Sequence, residues 1–292
     1  MEYRSKVIVN ADDFGENESI NRGILESFKL GLISTTSLLS NRPGFNEACE
    51  LVHQNHLTDR IGIHLNITQG QPLTEEIKKY PKFYIDSKMY RSFKGHLFNS
   101  EESNALYREF QAQIDKCRGA GINPTHIDSH HGFHNYWGIG KVVIELALKN
   151  KIPSVRLRVN WGKNSNKGRG FSNKIYDLRG KIYSALSNYR LGAAGLAKTN
   201  YFCEIMNVTT ELLSKDTIVE VNTHPWINNE NNLMDSCVGE SLTDLEKKYL
   251  PNNHFRTFKS LVQINSIIIS IIYLTLSCIN NFYDFLPTEI MM

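Results

Sequence analysis

No Cys-x-x-Cys pair occurs anywhere in the chain, and its five cysteines (Cys49, Cys117, Cys203, Cys237 and Cys278) are odd in number and widely spaced. That spacing excludes a disulfide frame or a zinc ribbon and reads as the reduced thiols of a cytoplasmic protein. An excess of one charge is also missing: 33 Lys and Arg stand against 30 Asp and Glu, a net charge of +3, with the basic residues scattered. Such a balance argues against a nucleic-acid partner. Internal repeats are absent, and no Gly-Lys-Ser/Thr element frames the Gly-rich stretch at 160–173, which resembles a flexible lid more than a phosphate cradle. The first residues run straight into an apolar strand, so no signal peptide is expected. With 41% hydrophobic and 22% charged residues in 292, the chain suits one barrel-sized globular domain with a sizeable core.

What is present is concentrated. Four of the ten histidines, His126, His130, His131 and His134, fall within nine positions around Asp128, directly after a turn marked by Gly119, Gly121 and Pro124. Neutral imidazole ligates first-row metals and exchanges a proton near neutral pH, so this density points to a metal or acid/base site. The plainer reading is a run of exposed histidines on a loop. Residues 6–15, Lys-Val-Ile-Val-Asn-Ala-Asp-Asp-Phe-Gly, read as a buried strand ending in two adjacent carboxylates. Neighbouring side chains there point in different directions, so Asp12 and Asp13 can take different roles. Two further β-branched runs, 60–68 and 217–225, carry His64 and His224. Taken alone, His64 reads as a core histidine.

Spacing of Ile20, Ile24, Leu25 and Phe28 predicts a helix over 17–30, with a strand over 33–39 and a second helix over 44–54. The resulting β-α-β-α-β order predicts parallel pairing with helices outside, and a site at the C-terminal strand ends, where Asp12, Asp13 and His130 fall. Further helices are predicted over 101–120, 140–149, 177–197 and 242–249, the last with Thr243 and Glu246 in capping-box spacing. A strand over 154–159 places Arg156 and Arg158 on one face, either toward the site, to meet an anionic or hydroxyl-rich substrate, or toward solvent. Between 69 and 100 periodicity is lost, and the aromatics there are available either to stack on sugar rings or to form a small core of their own.

Four blocks in order, Asn-Ala-Asp-Asp-Phe-Gly (10–15), Gly-Ile-His-Leu-Asn-Ile-Thr (62–68), Pro-Thr-His-Ile-Asp-Ser-His-His (124–131) and Thr-His-Pro (223–225), resemble the YdjC-like carbohydrate deacetylases. The resemblance implies an α/β fold, a distorted (β/α) barrel of the glycoside hydrolase and deacetylase type, here over residues 1–260. It implies removal of the N-acetyl group from an amino sugar in an oligosaccharide or glycan, with one divalent metal ion, magnesium or zinc. Carried over by position, Asp13, His64 and His130 hold that ion and Asp12 is the general base. The chain departs from the family pattern at Gly132, where a third histidine is usual, and at Thr223, where a cysteine is usual. His224, at another strand end, is the candidate acid for the leaving amine. Asp128, His131, Arg156 and Arg158 are candidate substrate contacts or supports for the ligands, Asp128 through its place two residues from His130 on the same side of an extended chain.

Adjacent Asp12 and Asp13 do not suit two carboxylates acting across a glycosidic bond, which argues against a glycoside hydrolase. A metal-dependent phosphoesterase and a non-catalytic glycan-binding protein stay as alternatives. Expected partners are a carbohydrate and, as an open reading, further copies of the same chain. Residues 260–283 carry no charge, so the tail at 261–292 reads either as a last barrel helix or as a membrane segment attached to a cytoplasmic barrel.

Overall fold

The computed structural model describes residues 6–86, 88–89, 98–161, 172–251 and 255–262. In chain order the elements are β1 (Lys6–Phe14), α1 (Glu18–Lys29), β2 (Thr35–Leu38), α2 (Phe45–Gln54), β3 (Ile61–Leu65), a small hairpin of β4 (Tyr84–Ile85) and β5 (Lys88–Met89), then α3 (Ser100–Gly119), β6 (Ile127–Ser129) and α4 (Trp137–Lys149). There follow α5 (Ser172–Ala193), β7 (Tyr201–Glu204), α6 (Thr210–Leu213), β8 (Ile218–Thr223), the hairpin β9 (Pro225–Ile227) and β10 (Leu233–Asp235), and α7 (Leu242–Tyr249).

Six strands form one parallel sheet in the order β6-β3-β2-β1-β8-β7. β1 sits inside it because 7–12 are buried on both faces, the condition under which a strand reads as a near-continuous apolar run. Segment 153–160 closes the curl into a distorted barrel: Arg156 N donates to Ile127 O at 2.9 Å on β6, and Asn160 N to Phe202 O at 3.3 Å on β7. The strand predicted over 154–159 is therefore an irregular stave, with single bridges of Val155 to Ile127 and Ser154 to Ala197. Its backbone has to reach from one sheet edge to the other, so it keeps no regular ladder with either.

Asn17 caps α1 by accepting from Ile20 N at 3.1 Å. The capping box expected at Thr243 and Glu246 does not form: α7 begins at Leu242 with Ser241 as its cap residue, and Ser241 Oγ pairs with Thr243 Oγ1 at 2.8 Å instead. A capping box does form at Asn99 and Glu102 on α3. In the insertion, Phe83 is buried and packs on Phe98 at 5.3 Å between ring centres, so this aromatic belongs to the core. Buried Glu109 of α3 ties the insertion down by accepting from Leu73 N, Thr74 N and Thr74 Oγ1. Among the described residues no helix is long and apolar enough to cross a membrane. From residue 263 on, the tail lies outside the described residues, as do 162–171 of the lid-like loop.

Two glycines let elements approach the site closely. A Cβ on Gly62 of β3 would meet the His126 ring at 2.3 Å, so only glycine lets that ring lie across the strand. A Cβ on Gly23 of α1 would meet the Trp226 backbone at 2.6 Å, so glycine there lets the β9–β10 hairpin seat against the helix.

Candidate active site

The site is assembled at the C-terminal strand ends. Parallel register sets His64 of β3 beside Asp128 of β6, and His64 Nδ1 donates to Asp128 Oδ1 at 2.7 Å. Ser37 of β2 donates to Asp128 Oδ2 at 2.8 Å, and Asn10 of β1 donates to Asp12 Oδ1 at 2.9 Å. Arg156 joins these groups from the closing segment. Its Nη1 and Nη2 reach Asp12 at 2.8 and 2.7 Å, its Nη2 reaches Asp128 Oδ2 at 2.8 Å, and its Nε reaches Glu220 of β8 at 2.5 Å. One guanidinium therefore sits among three buried carboxylates, and its ionisation is held well above the ordinary arginine value: burial opposes the charge, but Asp12, Asp128 and Glu220 outweigh it.

Burial pushes the Asp12 carboxyl up, but Arg156 and then His64 and His224 hold it far below the usual carboxylate range. Asp128 is likewise lowered, against burial, by Arg156 and His64. Glu220 goes the other way, to about 7, because burial and repulsion from Asp128 and Asp12 exceed the help from a shared Arg156. Asp12, His64 and Asp128 offer donor atoms within 4.8 Å of one another, yet this cluster already holds its cation in the form of Arg156.

Asp13 faces a different way. A register break between Ala11 and Phe14 and a left-handed φ of 71° turn it out of the strand. Its Oδ1 is buried without a hydrogen-bond partner of good geometry and lies 3.3 Å from His64 Nε2 and 3.9 Å from His130 Nε2. The two imidazole centres are 5.9 Å apart. His130 Nδ1 lies 2.7 Å from Thr68 Oγ1; we assign the Thr68 hydroxyl as donor to Asn66 Oδ1, at 3.3 Å, and acceptor from His130. With both Nδ1 atoms engaged, His64 and His130 present Nε2 to Asp13. Burial pulls His64 down, but Asp128, Asp13 and Asp12 lift it to about 10, whereas burial takes His130 to about 3. Asp13 falls to about 2, since its contact with His64 outweighs the opposing effect of burial.

His224 approaches from the other side, its Nε2 3.8 Å from Asp12 Oδ2. Burial lowers its proton affinity, but Cys237, Asp12 and Asp13 raise it to about 10. Of the remaining histidines in the cluster, His126 reaches Asn10 at 3.1 Å and stacks on Phe258, and His134 pairs with Ser129 at 2.6 Å. His131 lies over His130 at 3.8 Å between ring centres, with its Nδ1 3.0 Å from Thr68 Oγ1. Arg156 is 3% exposed and spends its fork on carboxylates, while Arg158 turns toward α5 and donates to Ser184 at 3.0 Å. Glu220, Asn10, Ser37 and Thr68 escape the sequence reading. Glu220 had a signal, a lone carboxylate inside an apolar strand, which needs a buried partner.

The sequence model of the family described as YdjC-like protein matches residues 6–258. This chain belongs to the YdjC-like family. Curated relatives named carbohydrate deacetylase resemble it at 31% identity over 224 residues in Halalkalibacterium halodurans, covering 75% of this chain and 84% of that protein. In Brevibacillus brevis identity is 35% over 156 residues, covering 53% and 60%, and in Clostridium beijerinckii 36% over 148 residues, covering 51% and 58%. The match thus spans most of the first relative and about three-fifths of the other two. A solved structure described as a putative cellobiose-phosphate cleavage protein from Enterococcus faecalis V583 is similar with a TM-score of 0.59 at 22% identity, covering 88% of this chain and 98% of that one. This likeness shows that the distorted barrel of the YdjC-like chain is a shared fold.

Proposed function

We propose that this YdjC-like chain is a metal-dependent hydrolase that removes the N-acetyl group from an amino sugar in an oligosaccharide or glycan. The observation that carries the reading is Asp13 Oδ1, buried, without a hydrogen-bond partner of good geometry among the described residues, and facing the Nε2 atoms of His64 and His130. The name shared by the relatives, carbohydrate deacetylase, supports the substrate class.

Asp13, His64 and His130 would hold one divalent ion. The donor set fits, because Asp128 and Thr68 fix both imidazoles through Nδ1, the usual way in which a ligating histidine is oriented. Two imidazoles and a carboxylate suit zinc, and metal supply in the cell extends the choice to magnesium. Such an ion acidifies water and polarises an amide carbonyl.

The other steps belong to this chain's side chains. Asp12 Oδ1 is occupied by Arg156 and Asn10, whereas Oδ2 accepts, among the described residues, from Arg156 alone and keeps a lone pair for the proton of the attacking water. Arg156 keeps Asp12 ionised and fixes its plane. His224, whose proton affinity is raised, against burial, by Cys237, Asp12 and Asp13, gives its Nε2 proton to the leaving amine. An open cleft of about 780 Å³ between the start of α1 and the β9–β10 hairpin, lined by Asn17, Arg22, Trp226, Asn228 and Ser236, includes none of these site residues in its walls.

The test is to strip the purified protein, reload it with zinc or magnesium, and measure free acetate from N-acetylglucosamine oligosaccharides. Acetate released only by the reloaded protein is expected. Cleavage of a phosphate ester without any acetate replaces the reading with a phosphoesterase, and binding without turnover replaces it with a glycan-binding protein.

A further inference from the structure

We infer that His224, Asp235 and Cys237 form a second cation site, suited to a borderline-soft divalent metal such as zinc, and that filling it withdraws His224 from proton transfer. The inhibition rests on the proton-donor role proposed for His224; the binding does not.

The β9–β10 hairpin builds the site. Its antiparallel register sets Asp235 opposite Pro225, and Ser236 N donates to His224 O at 2.9 Å, so the residues flanking the open end of the hairpin meet there. Asp235, 1% exposed, organises the other two donors through their backbones. Its Oδ2 accepts from His224 N at 2.8 Å, and its Oδ1 accepts from Cys237 N at 2.9 Å and Val238 N at 3.0 Å. Oδ1 is thereby saturated, while Oδ2 keeps a lone pair. Donor atoms of all three side chains lie within 4.8 Å of one another. Ligands about 2 Å from one ion crowd to comparable separations, so small side-chain rotations complete the site. The hairpin is held firmly against α1 at Gly23, which keeps its open end in place.

Donor chemistry sets the selectivity. Sulfur, nitrogen and one oxygen favour zinc over magnesium, which takes oxygen ligands. Cys237 is exposed, whereas Cys49, Cys117 and Cys203 are buried, so among the described cysteines only Cys237 meets an incoming ion directly. The site lies beside the first one and not within it: His224 is 3.8 Å from Asp12, and no donor is shared with Asp13, His64 and His130. An imidazolium carries a proton on each ring nitrogen, and a ring that ligates a metal cannot. A filled second site therefore leaves His224 unable to act as the imidazolium acid.

Cobalt(II) separates the two sites, because a thiolate ligand gives an intense near-ultraviolet charge-transfer band that nitrogen and oxygen ligands do not. Cobalt(II) is titrated into the full chain, kept reduced with a phosphine, and into Cys237→Ser and Asp13→Asn. The thiolate band is expected in the parent and in Asp13→Asn, and is expected to vanish in Cys237→Ser with circular dichroism unchanged. Excess zinc is expected to depress acetate release at least tenfold in the parent, relative to its activity with one equivalent, and to spare Cys237→Ser. No thiolate band in the parent, or a band that survives Cys237→Ser, overturns the site. Because the band is read without substrate, its loss and the failure of the deacetylase reading are separate results.

Discussion

Arg156 clasps Asp12 with both arms of its guanidinium, Nη1 on Oδ2 at 2.8 Å and Nη2 on Oδ1 at 2.7 Å, from a position 144 residues further along the chain. A planar fork matches a carboxylate in this way and fixes its plane, which a point charge does not. The same guanidinium also carries Asp128 and Glu220.

Removing that cation strands buried carboxylates. Arg156→Met is expected to cost about 3–5 kcal/mol, the range for breaking one side of a buried ion pair. Arg156→Lys should recover part of this but not the double contact to Asp12. Denaturant melts of the three proteins check it, and a loss below about 1 kcal/mol for Arg156→Met would show that the network is not held by charge.

Asp12→Asn retains the shape and the Asn10 contact but cannot take a proton. Acetate release is expected to fall by about 10²–10⁴, the typical worth of a general base, with metal content unchanged. Turnover at the parent rate assigns the base elsewhere.

Thr68 acts on metal affinity without touching the ion. Thr68→Val removes the oxygen that orients His130 Nδ1, and affinity is expected to drop about 10–100-fold, the usual effect of losing such a support. His130→Ala should lose the ion altogether. Equilibrium dialysis against zinc reads both, and equal affinity in parent and Thr68→Val rejects the orientation argument.

Glu220 makes stability depend on pH in a direction opposite to the other two carboxylates. Its value rises from 4.5 to about 7 on folding, so the folded protein binds this proton more tightly than the unfolded chain. The resulting stability is present below pH 4.5 and is lost as pH rises through 7, by up to about 3 kcal/mol. Glu220→Gln cannot ionise, so its stability relative to the parent is expected to improve between pH 5 and pH 8. Chemical denaturation at both values measures this, and an unchanged difference contradicts the shift.

Much of the barrel was legible because its signals are local. Val7, Ile8 and Val9 announce a doubly covered strand, Asn17 marks where α1 begins, and the Gly-Pro turn before Thr125 places the histidine cluster after a break. The short β7 and the capping of α7 were not legible, although the range of α7, 242–249, was. Four residues carry too little period, and Ser241 and Thr243 are both chemically able to cap a helix. Arg156 and Arg158 look alike in sequence, two residues apart, yet one is a buried hub and the other reaches α5.

By itself the sequence determined which residue types stand at the ends of which strands, since alternation, apolar runs and caps act over a few residues. It also brought Asp12, Asp13, His64, His130 and His224 into view as candidates. Only the tertiary structure decided that His130, alone of its cluster, faces Asp13, and that Arg156, not a metal, fills the space between Asp12 and Asp128. It alone brought His224 and Cys237 together at the open end of the β9–β10 hairpin. The physical reason is that a buried charge or donor is satisfied by whatever closure of the barrel brings within about 3 Å, and that neighbour is set by strand register, not by distance along the chain.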